Sequence, residues 1–281
     1  MAPEPLHLRR LTLDFQRTAL MGVVNLTTDS FSDGGVNLDA PDAVRAALAH
    51  SAGALLIDLG AESTRPGATP VSATVEKTRL LPVIDALVGK LPGAAISVDT
   101  YKAEVADAVL GAGAEIINDI SGGALDPEML GVVARHGAAV VLGHLRGTPA
   151  SMRQHALYSD VVAEVRAELE ERVARAREAG IPSSRILVDP GLGFAKTAAH
   201  NWAILAGLAH IVSLGHAVVI GASRKSFLGE LTGRTVDDRE VAGAACHAVA
   251  VLHGARVLRV HDVARQRDAA LVADAARGVR P

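Results

Sequence analysis

The sequence predicts an α/β protein, a (β/α)8 barrel of the TIM type that fills residues 1–281 as one domain, with a short N-terminal β-hairpin within residues 1–18. Three observations support this prediction. Eight short runs rich in Val, Ile and Leu alternate with helical patterns along the chain. The runs are almost continuously apolar, as is typical of parallel strands that are covered by helices. A length of 281 residues suits eight such units, because barrels of this class have about 250 residues.

The eight predicted strands are separated by a loop and a helical pattern. In chain order they are ALMGVVN, LLIDLG, AISVDT, EIINDIS, AVVLGH, ILVDPG, AVVIGAS and VLRVHD. The clearest helix runs from Ser159 to Gly180, where apolar residues recur at helical spacing until Gly180 and Pro182 end the pattern. Before the first strand, LHLRRLTLDF alternates between apolar and polar residues, which predicts a hairpin that closes the bottom of the barrel.

The composition excludes several function classes. Lys and Arg number 28 against 31 Asp and Glu, so the chain lacks the basic surface that nucleic-acid binding needs. The single cysteine, Cys246, cannot form an internal disulfide, which fits a reducing compartment, and it is expected to be buried and inert. No apolar run is long enough to span a bilayer, and the first residues contain no secretory signal. We therefore expect a soluble cytoplasmic protein with small-molecule substrates and no nucleic-acid or membrane partner.

Polar residues stand at the carboxyl end of every predicted strand. In a barrel of this kind, catalytic groups come from those ends and from the loops that follow them. Burying so many polar groups at one mouth costs too much desolvation unless they bind a polar ligand or each other. The end residues are Asn25, Asp58, Asp99, Asn118 with Asp119, His144, Asp189, the group Ser223-Arg224-Lys225, and Arg259 with His261.

The chemistry of these ends indicates a ligand with two different parts. Carboxylate and amide groups can pair in one plane with a guanidine-like edge, as in a 2-amino-4-oxo heterocycle, and a lysine can meet a ring carbonyl or nitrogen. Arginine, histidine and a further amide suit phosphate or pyrophosphate. The first set is Asp99, Asn118, Asp189 and Lys225, and the second is Asn25, Arg259 and His261.

Seven motifs resemble those of the dihydropteroate synthase family: MGVVNLTTDSFSDGG, ESTRPGA, SVDT, NDISGG, VDPGLGFAKT, GASRKSFLG and RVHDV. They occur in the family's order between Met21 and Val263. The resemblance implies a pterin-binding barrel of folate biosynthesis. Its members join 6-hydroxymethyl-7,8-dihydropterin pyrophosphate to p-aminobenzoate, and they release pyrophosphate with the help of Mg2+. It also implies a homodimer.

The resemblance further implies a role for each matching residue. Pterin binding falls to Asp99, Asn118, Asp189, Phe194 and Lys225. Pyrophosphate binding falls to Asn25, Thr64, Arg259 and His261, with Asn25 also at the metal. The p-aminobenzoate site would comprise Phe31, Thr64, Arg65, Pro66, Phe194 and Ser226. The catalytic residues would be Asp99, Asn118, Asp189, Lys225 and Asp33. Two loops would close over the substrates: the first is TTDSFSDGG, which contains Asp33, and the second is ESTRPGATP.

Three departures from the family's motifs stand out: Thr28 for proline, Ala61 for glycine, and Gly143 for a methionine that packs on the pterin. The last predicts a looser pocket. Two alternative functions therefore stay open. One is a methyltransferase that moves a methyl group from a reduced folate to a corrinoid protein, and the other is a pterin-binding relative without synthase activity.

Three further polar residues are given structural interpretations. His144 is expected to bond to the backbone. Asp58 and Glu62 are expected to brace the second loop rather than to hold a metal.

Overall fold

The computed structural model describes residues 3–9, 11–27, 40–65, 67–91 and 93–279. Two short antiparallel strands, β1 (Leu6–His7) and β2 (Thr12–Leu13), form the N-terminal hairpin. Eight parallel strands then form a closed barrel. They are β3 (Ala19–Asn25), β4 (Leu56–Gly60), β5 (Ala95–Asp99), β6 (Ile116–Asp119), β7 (Ala139–Gly143), β8 (Ile186–Asp189), β9 (Ala217–Ile220) and β10 (Val257–Val260).

Helices follow the barrel strands and cover them from outside. They are α1 (Ala40–Ser51), α2 (Ala73–Leu87), α3 (Ala103–Ala112), α4 (Met129–His136), α5 (Val161–Glu178), α6 (Ala198–Ala206), α7 (Leu208–Val212), α8 (Ser226–Thr232), α9 (Glu240–Leu252) and α10 (Val263–Ala276). The predicted barrel is confirmed, and each of the eight apolar runs contains one of its strands. Helix α5 begins two residues after the predicted start because Asp160 caps it, accepting hydrogen bonds from the amides of Val162 and Ala163.

The hairpin closes the lower end of the barrel, as the alternating pattern predicts. Leu6, Leu13 and Phe15 are buried against apolar residues that point into the barrel from its strands, among them Met21 and Val219. This contact removes a large apolar surface from water at the end opposite the polar strand termini. The open end of the barrel is therefore the one that carries the polar strand termini.

The strand register places polar residues from neighbouring strands in layers inside the barrel. Asn25, Gly60, Asp99 and Asn118 are consecutive partners across β3, β4, β5 and β6. Two residues earlier on β4 and β5, Asp58 pairs with Ser97. Because side chains two apart on a strand point to the same side, the Asp58 layer lies directly beneath the Asn25–Asn118 layer.

Among the residues that the structure describes, every helix is too short or too polar to cross a membrane.

Candidate functional site

A cleft of about 490 Å3 opens at the carboxyl ends of the barrel strands. Strands β5 to β10 and the loops that follow them supply its walls. The lining residues are Asp99, Asn118, Ile120, Gly143, His144, Asp189, Gly191, Phe194, Gly221, Ser223, Lys225, Arg259 and His261. Acidic, amide and basic side chains that are up to 162 residues apart in the chain, such as Asp99 and His261, thus meet at one mouth.

Asp58 forms the floor beneath this cleft. Its side chain is fully buried, and its carboxylate accepts hydrogen bonds from Ser97 Oγ at 2.6 Å, Asn118 Nδ2 at 3.0 Å and Arg259 Nε at 2.7 Å. The interpretation of Asp58 as a brace for the second loop is therefore wrong. The register turns it into the barrel, one layer below the strand ends, where it holds two residues of the cleft in place.

The bond to Asp58 fixes which way the Asn118 amide faces. A carboxylate only accepts hydrogen bonds, so the Asn118 NH2 group must point down to it. The Asn118 carbonyl oxygen is left as an acceptor on the cleft side. Beside it, Asp99 accepts a hydrogen bond from the Arg259 guanidinium at 2.8 Å. Burial raises the pKa of Asp99 to about 7, although Arg259 opposes the shift.

Asp189, at the end of β8, stabilises the following turn and also presents a hydrogen-bond acceptor to the cleft. Its Oδ1 accepts the Gly191 amide at 2.7 Å, and burial raises the pKa of the carboxyl while Lys225 opposes the shift. Gly191 has φ +68, and a Cβ there would overlap the carbonyl oxygen of His144. Only glycine suits this close approach, so the DPG motif turns the chain and still presents the carboxylate to the cleft.

Lys225 connects the loop after β9 to the loop after β8, and these two loops form the opposite wall. Its ammonium donates to the Leu192 carbonyl and lies 4.7 Å from the centroid of the Phe194 ring. Ala195 and Arg224, next to these two residues, adopt left-handed conformations with φ 48 and φ 60. Such backbone is uncommon outside glycine and is held here by the surrounding contacts. The Phe194 ring is thereby fixed as a flat wall.

The cationic end of the cleft consists of Arg259 and His261. Burial by itself would lower the pKa of Arg259, but the ion pairs with Asp58 and Asp99 raise it. The guanidinium therefore remains charged. His261 Nδ1 lies 3.0 Å from Ser223 Oγ, and burial followed by the charge of Arg259 lowers its pKa to about 3. The imidazole is thus neutral and held by Ser223.

The remaining predicted residues lie outside the cleft lining or outside the described residues. Asn25 is half-buried at the end of β3, and a Cβ on Gly60 would lie 3.7 Å from its Oδ1 and 3.7 Å from Asp99 Cβ, so the two side chains flank Gly60. Thr64 is half-buried, whereas Arg65 and Ser226 are exposed. Phe31, Asp33 and Pro66 are not among the described residues.

The donors near the cleft determine which metal ion could bind there. Among the described ranges, no group of three or more His, Cys, Asp or Glu side chains is arranged to hold a metal. Asp58 and Asp99 are both paired with Arg259. Asn25 contributes one hard amide oxygen, which fits the way Mg2+ binds through one or two protein oxygens together with substrate phosphates and water.

His144 and Gly143 contribute differently from what the sequence indicates. His144 is fully buried and bonds to side chains, Glu168 Oε2 at 3.0 Å and Lys196 Nζ at 2.9 Å, and burial lowers its pKa to about 3. A Cβ on Gly143 would lie 2.6 Å from the Cα of Ile120. The gap expected at Gly143 is therefore filled by the turn after β6, which packs onto β7.

The second loop is braced by Glu62, as expected. The Glu62 carboxylate accepts the Val71 amide at 3.3 Å and also bonds to Tyr101 and Lys102.

Three further residues line the cleft, although the sequence predicts no ligand contact for them: Ile120, Gly221 and Ser223. Ser223 could have been identified, because it stands in a polar strand end. Ile120 and Gly221 carry no polar side chain, so only their place in the fold reveals them.

Comparison with known proteins identifies the relatives of this chain. The family described as pterin binding enzyme matches residues 21–261. Dihydropteroate synthase of Mycobacterium leprae (strain TN) is 48% identical over 264 residues, which cover 91% of this chain and 92% of that protein. The structure of Xanthomonas albilineans dihydropteroate synthase with 4-aminobenzoic acid has a TM-score of 0.90 and 43% identity, covering 99% of this chain and 100% of the other. The same organism's enzyme in complex with 7,8-dihydropteroate has a TM-score of 0.86 and 40% identity, covering 98% and 100%.

Proposed function

This chain belongs to the pterin-binding enzyme family, and on that premise we propose how its cleft carries out the reaction of its relatives. The reaction is the condensation of 6-hydroxymethyl-7,8-dihydropterin pyrophosphate with p-aminobenzoate, which gives 7,8-dihydropteroate and pyrophosphate. It is a transferase reaction of folate biosynthesis. The single observation that carries the assignment is the meeting of Asp99, Asn118, Asp189 and Lys225 in one cleft, in a chain similar to synthases over nine tenths of its length.

The pterin ring would lie against the acidic and amide wall. The Asp189 carboxylate would accept the amino group and the adjacent ring N–H, since both are donors in one plane. The Asn118 carbonyl oxygen and the Asp99 carboxylate would accept further ring N–H groups. Lys225 would donate to the ring carbonyl or a ring nitrogen, and it lies close enough to Phe194 to keep the ring and that wall together.

The pyrophosphate would meet Arg259, His261 and Asn25, with Thr64 at the edge. Arg259 keeps its charge because Asp58 and Asp99 stabilise the guanidinium. The neutral His261 can donate one N–H to a phosphate oxygen when Ser223 occupies Nδ1. When bound, Mg2+ would neutralise negative charge on the pyrophosphate, with Asn25 as its protein ligand.

The p-aminobenzoate would stack against Phe194, with its carboxylate near Ser226. The Ser226 amide stands at the start of α8, next to Lys225. By the resemblance, Thr64, Arg65 and Pro66 would approach from the second loop, and Phe31 and Asp33 from the first. Closure of these loops over the substrates would exclude water, which otherwise competes with the amine.

The chemical step would be a substitution with dissociative character at the exocyclic methylene. The C–O bond to pyrophosphate breaks, positive charge spreads into the electron-rich dihydropterin, and the buried carboxylates stabilise that charge. The aniline nitrogen is already neutral, so it would supply its electron pair without a general base, form the C–N bond and then lose one proton to the released pyrophosphate. The corrinoid methyltransferase and the inactive relative lose support, because the relatives matched over almost their whole length are synthases.

The assay that tests this function follows pyrophosphate release from the two substrates. We expect turnover that requires p-aminobenzoate and falls when EDTA removes Mg2+ and recovers when Mg2+ is restored. Binding of the pterin without any pyrophosphate release would instead support a relative that lacks synthase activity. Turnover that EDTA leaves unchanged would remove Mg2+ from the proposal.

The pH dependence of turnover tests the role of Lys225. Burial lowers the pKa of Lys225 to about 8, so the amine is charged at neutral pH but loses its proton at a lower pH than an exposed lysine. The proposed contact needs the charged form, and kcat/KM for the pterin substrate should therefore fall as the pH rises through about 8. Lys225→Arg keeps its charge at every accessible pH and should move this fall above about pH 10. A pH–rate profile that is the same in both proteins would assign the fall to another group.

We also propose that the protein is a homodimer that associates through α9 and α10. Both of these packed helices carry exposed apolar side chains: Val241 is 82% and Val272 68% exposed, and Val249, Leu252 and Leu271 are also exposed. Both helices are rich in alanine, so the sequence alone does not indicate this surface. Apolar strips of this kind are typical of protein interfaces.

The dimer predicts a specific effect of charge on this surface. Val241→Asp combined with Val272→Asp should convert a dimer into a folded monomer, since two carboxylates on each protomer would lose their hydration in the interface. Light scattering after gel filtration measures the mass. Leu157→Asp is the matched control, because Leu157 is 77% exposed on a different part of the surface and should leave the dimer intact. A wild-type protein that stays monomeric would contradict the proposal.

A cytoplasmic location and a single folding domain complete the proposal. Cys246 is buried without a disulfide, and burial raises the pKa of its thiol to about 12, so nothing about it requires an oxidising compartment. Cell fractionation that finds the protein outside the cytoplasm would contradict the location. Two separate unfolding transitions would contradict the single domain.

A further inference from the structure

A buried chain of hydrogen bonds runs behind the cleft, from α10 and α9 to the loop after β9. The Gln266 amide nitrogen donates to Glu240 Oε2 at 2.9 Å, and Gln266 Oε1 lies 2.7 Å from Nδ1 of His247. On the other side of the ring, His247 Nε2 accepts the backbone amide of Ala222 at 3.1 Å. His247 and Gln266 are both fully buried, and neither lines the cleft.

The partners on both sides of the His247 ring require the same tautomer of this histidine. The Glu240 carboxylate accepts, so the Gln266 NH2 group faces it and the Gln266 oxygen faces His247, which must then carry its proton on Nδ1. The Ala222 amide can only donate, so Nε2 must be bare. Burial, opposed by the bond to Gln266, lowers the pKa of His247 to about 4, and the neutral ring agrees with this arrangement.

The residue that His247 holds lies between two residues of the cleft. Ala222 separates Gly221 from Ser223, and both of these line the cleft. Ser223 in turn contacts His261, with 3.0 Å between Ser223 Oγ and His261 Nδ1. Helix α9 packs directly behind this loop, since a Cβ on Gly243 would lie 3.9 Å from the Ser223 Cα. A shift of Ala222 would therefore displace Ser223 and reorient His261.

We propose that His247 is a positioning residue that fixes the loop 221–223 from behind and so orients His261 toward the pyrophosphate of the pterin substrate. This rests on the proposed function of the cleft. His247 itself touches no substrate, and its effect passes through the Ala222 amide and the Ser223 hydroxyl. Gln266 and Glu240 maintain the tautomer, as partners behind ligand-binding histidines do elsewhere.

Two substitutions of similar volume distinguish the loss of the hydrogen bond to the Ala222 amide from a loss of packing around His247. His247→Met fills the space but offers Ala222 no strong acceptor, and kcat/KM for dihydropterin pyrophosphate should fall about tenfold, as expected for one lost hydrogen bond. The KM for p-aminobenzoate should stay unchanged. His247→Gln places an amide oxygen near the former Nε2 and should restore most of the loss. His253→Met is the matched control, since His253 ends α9 and bonds to the Leu205 carbonyl, outside the cleft lining.

Hydrogen–deuterium exchange provides a readout that needs no turnover. Exchange of the amides in 221–225 should rise in His247→Met and return toward the wild-type rate in His247→Gln, while His253→Met should leave it unchanged. If His247→Met does not fold, Gln266→Met serves instead, because it frees the ring to move its proton to Nε2 and should give the same two effects.

The outcomes separate this inference from the proposed function. A wild-type protein without pyrophosphate release would contradict the function, while the exchange measurement would still decide the role of His247. A folded His247→Met variant with wild-type exchange in 221–225 and wild-type kinetics would overturn the inference. Equal losses in His247→Met and His247→Gln would also overturn it, since they would indicate packing rather than the acceptor.

Discussion

Asp189→Asn is expected to lower kcat/KM for dihydropterin pyrophosphate by roughly 100-fold or more while the protein remains folded. The asparagine NH2 group would face ring N–H donors, and the charge that strengthens the pairing would be lost. A hydrogen bond to a charged group contributes about 1.5–3 kcal/mol, so the loss of one bond and the exposure of an unpaired donor account for this factor. Steady-state kinetics and calorimetric titration of a pterin ligand measure the effect.

Stability should change in the opposite direction from activity. Burial raises the pKa of Asp189, so the fold disfavours its ionised form, and the neutral amide should leave the free energy of unfolding equal or higher at neutral pH. Asp160→Asn is the matched control, because Asp160 caps α5 and asparagine caps helices equally well. An Asp189→Asn variant with wild-type pterin affinity and turnover would contradict the pairing of this carboxylate with the ring.

Arg259→Met is expected to cause the largest combined loss, both of turnover and of stability. It removes the proposed pyrophosphate contact and leaves two buried carboxylates, Asp58 and Asp99, without their cation. Breaking a buried ion pair by removing one partner typically costs about 3–5 kcal/mol. Urea unfolding should show this loss, and the loss should shrink at lower pH as Asp99, whose pKa burial already raises, becomes protonated.

A double variant separates the two roles of Arg259. Asp58→Asn with Arg259→Met removes one of the two buried negative charges that the single variant leaves unpaired, so stability should recover in part while pyrophosphate release remains lost. Arg265→Met is the surface control. Arg265 is 72% exposed beside Asp262, where an ion pair contributes only about 0–1 kcal/mol. If Arg259→Met were as stable as the control, the floor network would not support the cleft.

The barrel was predictable because each strand is a continuous apolar run followed by polar residues. ILVDPG illustrates this pattern, since its aspartate is the last residue of β8 and lines the cleft. LLIDLG follows the same pattern, yet its aspartate lies within β4 and points into the floor. The two cases differ in barrel register, which depends on pairing between distant strands and leaves no local signal.

Contacts across the fold explain what else the sequence did not reveal. His247 is 25 residues from Ala222 and 19 from Gln266, and its role arises only because α9, α10 and the loop after β9 pack together. Gly143 illustrates the same limit. Its missing side chain predicts a gap, but the backbone of Ile120 occupies the space.

The most direct test of this account is a crystal structure of the protein with dihydropterin pyrophosphate and Mg2+. The account predicts that the amino edge of the ring lies about 3 Å from the Asp189 carboxylate, within hydrogen-bond range of Asn118, and that the phosphates face Arg259 and His261. A ring bound elsewhere, or bound in the cleft with its amino edge turned away from Asp189, would contradict it.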